Sequence, residues 1–314
     1  MLSAELLNYK TKEVRDLAWS IFSPCIINNE RAVDGLSFPN FDISKSEVKY
    51  WLKKLDESPQ PFLSFIEEHK SAKRLGKYFE ILLFYYFKNC AEIKNIHFSL
   101  QIKKSKELTL GEFDFLLQSN SNNSWTHLEV AVKFYLALDA VNIPNITNKT
   151  NKTELHYVGP NAKDRLDLRL EKLLNKQMQL GDTLEGKQDL FKIGIEEIEQ
   201  SLLVKGYLFY PLNRFNKAKI PDYINEHCWK GWWSYFNEFP FIEYGEKQFV
   251  ILQKLEWLSP FVGEESRVVN ALEIKNQIES KKTELPILLA EVEFNGSLWA
   301  EINRGFLVAD SWPH

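Results

Sequence analysis

The sequence predicts an α/β (α+β) fold with N-terminal helices, a mixed β-sheet and a β-rich C-terminal appendage. The first observation is an apolar stretch from residue 71 to 89 that is typical of a deeply packed helix. The second is a run of three strand-like segments directly after it, and the third is a later helix that leads into a buried strand. A strand–helix–strand step favours a mixed sheet with a right-handed crossover. These elements are predicted at 71–89, 97–103, 110–118, 126–136, 164–180 and 204–211.

Before this core, apolar residues at helical spacing predict helices at 11–22, about 44–55 and 62–69. After it, Asn295-Gly296 between two apolar runs predicts a hairpin, because both residues tolerate the positive φ angles of a tight turn. The chain is therefore expected to have three regions: helical 1–70, a core at 71–211, and an aromatic-rich, β-containing region at 212–314. The late aromatic residues are interpreted as core rather than as a base-stacking platform.

Composition narrows the class of protein. The 314 residues are 44% hydrophobic and 26% charged, which is ordinary for a globular protein. A net charge of −4 excludes a globally basic nucleic-acid coat protein, although a nuclease needs only a local positive surface. There is no apolar run of about 20 residues and no secretory pattern, so no membrane partner is expected. Three scattered cysteines indicate free thiols and a cytoplasmic location.

Acidic side chains interrupt the first of two neighbouring strands. Strand alternation places Phe113 and Phe115 on one face and Glu112 and Asp114 on the other. A structural strand rarely carries this many charges in its middle. A small anionic pocket beside such a strand would suit a hard divalent metal and phosphate-ester chemistry.

The next strand carries Glu129, Ala131 and Lys133 on one face. Glu129 and Lys133 are either part of the same pocket or an ion pair at a solvated edge, which would contribute only ~0–1 kcal/mol. On the preceding helix, Glu80 interrupts an apolar surface, and a buried carboxylate needs a partner, a proton or a metal. A salt bridge to a nearby lysine or arginine is the alternative.

Two basic groups are candidates for the local positive surface, one before the first acidic strand and one on the later helix. The alternative for each group is a solvent-exposed face of its element with no binding role. The two groups are Lys103, Lys104 and Lys106, and Lys163, Arg165, Arg169, Lys172 and Lys176.

Several short motifs spread along the chain resemble one known family. They include Val14-Arg-Asp-Leu-Ala-Trp19, Leu75-Gly-Lys-Tyr-Phe-Glu80, Leu110-Gly-Glu-Phe-Asp-Phe-Leu-Leu117, Leu128-Glu-Val-Ala-Val-Lys-Phe-Tyr135, Gly206-Tyr-Leu-Phe-Tyr-Pro211 and Arg304-Gly-Phe-Leu-Val308. On these motifs the chain is identified as a member of a bacterial family of domains of unknown function (number 1853). The order αβββαβ with its acidic residues resembles the PD-(D/E)XK nuclease superfamily, which has a restriction-endonuclease-like core.

The superfamily resemblance implies a role for each acidic residue. Asp114 and Glu129 would be the carboxylates that bind Mg²⁺ or Mn²⁺, and Glu80 would be an accessory metal carboxylate. Lys133 would correspond, imperfectly, to the lysine that orients the attacking water. The superfamily places that lysine two residues after the acid, where this chain has Ala131. Gln177 is either a polar auxiliary group or a surface glutamine.

These observations lead to a function hypothesis of a Mg²⁺-dependent phosphodiesterase that acts on DNA or RNA. The alternative is a catalytically inactive nuclease-like fold that binds nucleic acid or another protein, and it is motivated by Ala131 and the aromatic C-terminal third. A purely structural partner protein is a third hypothesis. No Ser-His-Asp set is apparent and the six histidines are dispersed, so acyl transfer and zinc hydrolysis lack comparable support.

Overall fold

The computed structural model describes residues 5–28, 45–69, 74–139, 155–214 and 220–314. It confirms a mixed α/β architecture with a large mixed sheet and several helices. The helices are α1 (Lys12–Phe22), α2 (Lys45–Glu57), α3 (Gln60–Glu68), α4 (Leu75–Lys88), α5 (Leu166–Lys172), α6 (Leu184–Lys192) and α7 (Ala271–Glu279). The strands are β1 (Ile93–Lys103), β2 (Thr109–Ser119), β3 (Trp125–Asp139), β4 (Leu155–Val158), β5 (Glu199–Pro211), β6 (Trp229–Tyr235), β7 (Gln248–Leu252), β8 (Val262–Gly263), β9 (Val269–Asn270), β10 (Ile287–Phe294) and β11 (Trp299–Val308).

The described residues form two compact units, each assembled from separated chain segments. The first unit contains the described parts of 1–26, 133–166 and 206–314, and the second contains those of 27–132 and 167–205. Strands β3 and β5 therefore contribute their N-terminal parts to the second unit and their C-terminal parts to the first. The division of the chain into three consecutive regions stays a prediction.

In the second unit, β1 pairs antiparallel with β2, and β2 pairs antiparallel with the start of β3. One face of β1 and β2 packs against α4, where Phe84 stacks on Phe98 with ring centroids 4.4 Å apart. The other face carries a buried cluster formed with the segment that follows α5 and with α6. That cluster is Ile102, Phe113, Leu116, Leu180, Leu190 and Ile195. Each face of β1 and β2 therefore carries side chains that pack against a neighbouring element.

The face alternation predicted for β2 is wrong at one point. Phe115 contacts Phe98 on the α4 face, whereas Phe113 packs in the cluster on the opposite face. The pairings Phe98↔Phe115 and Leu100↔Phe113 leave Ser99 opposite Asp114, and Ser99 has a φ of +54°. A residue in the left-handed region disturbs the regular pleat, so the faces exchange at this pair of positions.

The first unit contains the mixed part of the sheet. Strand β6 pairs parallel with both β5 and β11, and β10 pairs antiparallel with both β11 and β7. The predicted hairpin is confirmed between β10 and β11, where Gly296 has a φ of +93° and the Asn295 side chain accepts backbone N–H groups of the turn. Helix α7, which the sequence did not predict, packs Ala271 and Ile274 into the core of this unit.

Within the described ranges, no helix combines the length and the apolar character that crossing a membrane requires.

Candidate active site

The candidate site lies where β2 and β3 stop pairing in the second unit. The ladder runs from Gln118↔Trp125 to Phe115↔Leu128, and the next pair in the same register would be Asp114 opposite Glu129. There the Asp114 Oδ2 accepts a hydrogen bond from the Val130 backbone N–H at 3.0 Å. A carboxylate oxygen thus occupies the place of a strand carbonyl. The side chains of directly opposed residues share a face, so the Asp114 and Glu129 carboxyl groups come together.

Glu129 is buried, and each of its oxygens faces a different polar side chain. Gln177 donates to Glu129 Oε1 at 3.4 Å, and His127 Nε2 lies 3.4 Å from Glu129 Oε2. The carboxyl group also shares a hydrogen bond with Asp114. Among the described residues, Glu129 Oε2 has no hydrogen-bond partner of good geometry. One oxygen of a buried carboxyl group is therefore available to a ligand.

Helix α4 adds a cation and a third carboxylate. The Lys77 ammonium donates to Glu80 Oε2 at 2.7 Å and to Ser99 Oγ at 2.6 Å, and it lies 4.0 Å from Glu112. Lys77 and Glu80 are three residues apart, so both project from the same side of the helix. The salt bridge considered for Glu80 is thus present, and its partner is Lys77.

Burial and mutual repulsion raise the pKa values of these carboxyl groups. Desolvation, followed by the charge of Glu129, raises the pKa of Asp114 to about 8. Desolvation raises the pKa of Glu129 to about 7, while the hydrogen bond from Gln177 and the charge of Arg169 act in the opposite direction. Desolvation also raises the pKa of Glu80, opposed by Lys77. Carboxyl groups that are buried this close together hold protons near neutral pH unless a cation is bound.

His127 is the neutral neighbour of this group. It is fully buried, and burial lowers its pKa to about 4. Its ring meets Phe113 edge to face at a centroid distance of 4.6 Å. An uncharged imidazole beside Glu129 adds no positive charge to offset the carboxylates, so the positive charge of the site comes from Lys77 and Arg169.

Lys133 belongs to the first unit. Its ammonium is 2.6 Å from Asp164 Oδ2, an oxygen that also accepts from the Tyr135 hydroxyl at 3.2 Å. The backbone brings Lys133 close to Gly206, where β5 approaches β3. The catalytic role predicted for Lys133 stays a prediction.

Asp114 and Glu129 fit a divalent metal ion that is bound by two carboxylates. In the described part of the chain, no set of three or more His, Cys, Asp or Glu side chains is arranged to hold a metal. Mg²⁺ is commonly held by one or two carboxylates, with water and substrate phosphates in its other positions. Asp114 and Glu129, with the unpaired Glu129 Oε2, match such a two-carboxylate arrangement.

The sequence patterns predicted Glu80, Asp114 and Glu129 as site residues. The structure places their carboxyl groups close enough to interact electrostatically. The sequence patterns did not identify Lys77 or His127 as parts of the site. The available signals were the spacing of Lys77 and Glu80 on one helix side and of His127 and Glu129 on one strand face.

Comparisons with curated proteins and with solved structures found no match for this chain. A family model described as "Domain of unknown function (DUF1853)" matches residues 15–308, nearly the whole length. The matched range includes all four predicted site residues, all described residues of the second unit and most of the first. The chain therefore belongs to the DUF1853 family.

Proposed function

We propose that the protein is a divalent-metal-dependent phosphodiesterase that cleaves DNA or RNA. The observation that carries this proposal is the opposed pair of Asp114 and Glu129 carboxyl groups at the point where β2 and β3 separate. Burial, and after it the charge of neighbouring carboxylates, raises the pKa values of both groups. A bound divalent cation would offset that negative charge and restore both groups to their ionised form.

In this proposal Asp114 and Glu129 hold Mg²⁺ or Mn²⁺, and Glu80 serves as an accessory carboxylate. The metal, when bound, would polarise the scissile phosphate and lower the pKa of a water molecule. The hydrogen bond from Val130 orients Asp114, and Gln177 orients Glu129. Fixed orientation matters because a site that is pre-organised does not have to reorganise during the reaction.

Lys77 is the cation that we place beside these carboxylates. Its ammonium contacts Glu80 and Ser99, and its side chain is about one-third exposed, so it can also meet a phosphate from solvent. A lysine in this position would stabilise the negative charge that develops on a pentacovalent phosphate. In the superfamily, a lysine at the position of Ala131 has the corresponding catalytic role. Lys77 would take over that role here.

The finer fold assignment is part of the same proposal. When β4 and α6 are treated as additions, the order α4, β1, β2, β3, α5 and β5 agrees with the αβββαβ order of the restriction-endonuclease-like core and supports this assignment. The superfamily's acidic positions would then fall on Asp114 and Glu129, and its accessory acid on Glu80. A cytoplasmic location would accompany a nuclease of this kind.

The test is cleavage of supercoiled plasmid DNA, single-stranded DNA and RNA with Mg²⁺, with Mn²⁺ or with a chelator. We expect metal-dependent cutting of at least one substrate, and a loss of about 100-fold or more in Asp114→Asn and Glu129→Gln. Asp189→Asn is the matched control, because Asp189 is a carboxylate of the same unit that pairs with Lys192 on α6. Undiminished cutting by both site variants would rule out this site.

The second candidate is a catalytically inactive nuclease-like fold that binds nucleic acid or a protein. Ala131 at the usual lysine position favours it, as does the engagement of Lys77 by Glu80 and Ser99. Electrophoretic mobility shifts separate the two functions. Salt-sensitive binding without cutting, unchanged in Asp114→Asn, would favour the inactive module.

A further inference from the structure

His127 is a buried histidine whose two ring nitrogens make no hydrogen bond to the described residues. Neither Nδ1 nor Nε2 has a hydrogen-bond partner among the described residues, although the side chain is completely buried. Leaving a polar group buried without a partner costs about 1–3 kcal/mol. A residue with only a packing role would not need those nitrogens, because a leucine would fill a similar volume without this cost.

The polar atom that faces His127 is also without a hydrogen-bond partner. His127 Nε2 lies 3.4 Å from Glu129 Oε2, and that oxygen is buried and unsatisfied within the described residues. The two residues are two positions apart on β3, so their side chains project from the same face. A nitrogen and an oxygen that face each other in this way can both supply an electron pair to one metal ion.

The separation of the two donor atoms suits a metal ion. Two ligands that each lie about 2.1 Å from a tetrahedral metal are themselves about 3.4 Å apart. The nitrogen also restricts which metal is favoured, since Mg²⁺ takes oxygen ligands, whereas imidazole suits zinc, cobalt and nickel. A His–Glu pair therefore has the chemistry of a transition-metal site.

We propose that His127 is a nitrogen ligand to the metal ion held by Glu129, so that the site selects a first-row transition metal such as Zn²⁺ or Co²⁺ over Mg²⁺. This inference rests on the proposed function for the position of the metal, but it assigns a new ligand and a different metal class. Water or substrate oxygens would complete the coordination. The protein contribution is the His127 imidazole and the Glu129 carboxylate.

Isothermal titration of the full chain with Zn²⁺, Co²⁺ and Mg²⁺ tests the proposal by binding alone. We expect the wild-type protein to bind Zn²⁺ and Co²⁺ at least tenfold more tightly than Mg²⁺. His127→Leu should weaken Zn²⁺ and Co²⁺ binding at least tenfold and leave Mg²⁺ binding within about twofold. The matched control is His97→Leu, which removes a partly exposed histidine that packs on Trp125 in the same unit.

A second measurement needs no variant. Nitrogen NMR of histidine-labelled wild-type protein should show a large shift of the His127 Nε2 resonance when Zn²⁺ is added, and none with Mg²⁺. Unchanged Zn²⁺ affinity in His127→Leu, or a His127 resonance that Zn²⁺ does not move, would overturn the inference. Metal binding through His127 without any cleavage would defeat the phosphodiesterase proposal alone, and metal-dependent cleavage with His127 uninvolved would defeat this inference alone.

Discussion

The Asp114 carboxylate accepts the backbone N–H of Val130 at 3.0 Å, at the position where the β2–β3 ladder ends. This bond lets the two strands separate without leaving the Val130 N–H unpaired, because the side-chain oxygen replaces a strand carbonyl. The same bond fixes the carboxyl group that we assign to the metal. One interaction therefore serves both the local structure and the proposed chemistry.

The two roles of Asp114 can be separated by substitution. Asp114→Asn keeps an oxygen that can accept the Val130 N–H, whereas Asp114→Ala leaves that N–H without its partner. We expect Asp114→Ala to be less stable than Asp114→Asn by about 1–2 kcal/mol, measured by urea denaturation. Both variants should lose cleavage. Equal stability of the two variants would show that the hydrogen bond does not hold the strand junction.

The stability of the metal-free protein should fall as pH rises. The pKa of Asp114 is raised to about 8 and that of Glu129 to about 7, whereas carboxyl groups in an unfolded chain titrate near 4. Between about pH 4 and pH 8 the folded protein holds more protons than the unfolded chain. Raising the pH through this window therefore destabilises the fold. Below about pH 4 both states are protonated and the effect disappears.

Glu129→Gln tests this linkage, because it removes one of the coupled acids. In a chelating buffer at pH 8–9, the variant should be more stable than the wild type by more than about 1 kcal/mol, and its stability should depend less on pH. Urea denaturation at several pH values provides the measurement, and Asp189→Asn serves again as the control. A pH profile of Glu129→Gln parallel to that of the wild type would contradict the raised pKa values.

A comparison of two lysines tests which one acts in the site. Lys77 contacts Glu80 in the second unit, and Lys133 is ion-paired with Asp164 in the first. We expect Lys77→Met to lower the cleavage rate about 100-fold or more and Lys133→Met to leave most of it. Single-turnover cleavage rates provide the measurement. The reverse result would restore the superfamily assignment of Lys133.

Arg304 should be among the most important residues for the stability of the first unit. Its buried guanidinium is paired with Glu301, donates to the carbonyls of Trp257 and Ser259, and lies 4.2 Å from the ring centre of Tyr207. Arg304→Met leaves Glu301 as an uncompensated buried charge, which should cost about 3–5 kcal/mol.

The matched control for Arg304 is Arg267→Met. Arg267 makes a similar two-bond pair with Glu256, but its side chain is 39% exposed, so its loss should cost about 1 kcal/mol or less. Thermal unfolding followed by tryptophan fluorescence measures both variants. Similar melting temperatures for the two would show that burial does not govern the strength of these pairs.

Gly206 should not tolerate a side chain. It has a φ of +142°, and a Cβ atom there would lie 1.7 Å from the Lys133 carbonyl oxygen. Gly206→Ala should destabilise the protein by more than about 2 kcal/mol. Gly76→Ala on α4 is the control, since no atom of the described residues beyond its own helix backbone and chain neighbours lies within 4 Å of the added Cβ, and it should stabilise the helix by about 0.5–1 kcal/mol. Chemical denaturation of both variants compares the two sites.

The sequence by itself determined several of the local elements. The apolar helix predicted at 71–89 is α4 at Leu75–Lys88, and the strand predicted at 126–136 is contained in β3 at Trp125–Asp139. The hairpin around Asn295-Gly296 is also confirmed, as the pairing of β10 with β11. Helical and strand periodicities and the φ preference of Gly are properties of neighbouring residues, so they can be read without knowing the fold. Helix α7 lies in a region that was read as β-rich, because its short amphipathic pattern is weak evidence beside adjacent strands.

Only the tertiary structure decided which side chains meet. The exchange of faces at Ser99 and Asp114 depends on the pairing of β1 with β2. The opposition of Asp114 to Glu129 depends on the register of β2 with β3. Lys77 reaches Ser99 on β1 and Glu112 on β2 because α4 packs over this part of the sheet. These contacts join residues far apart in the chain, and their energies depend on burial and register, which a local pattern does not contain.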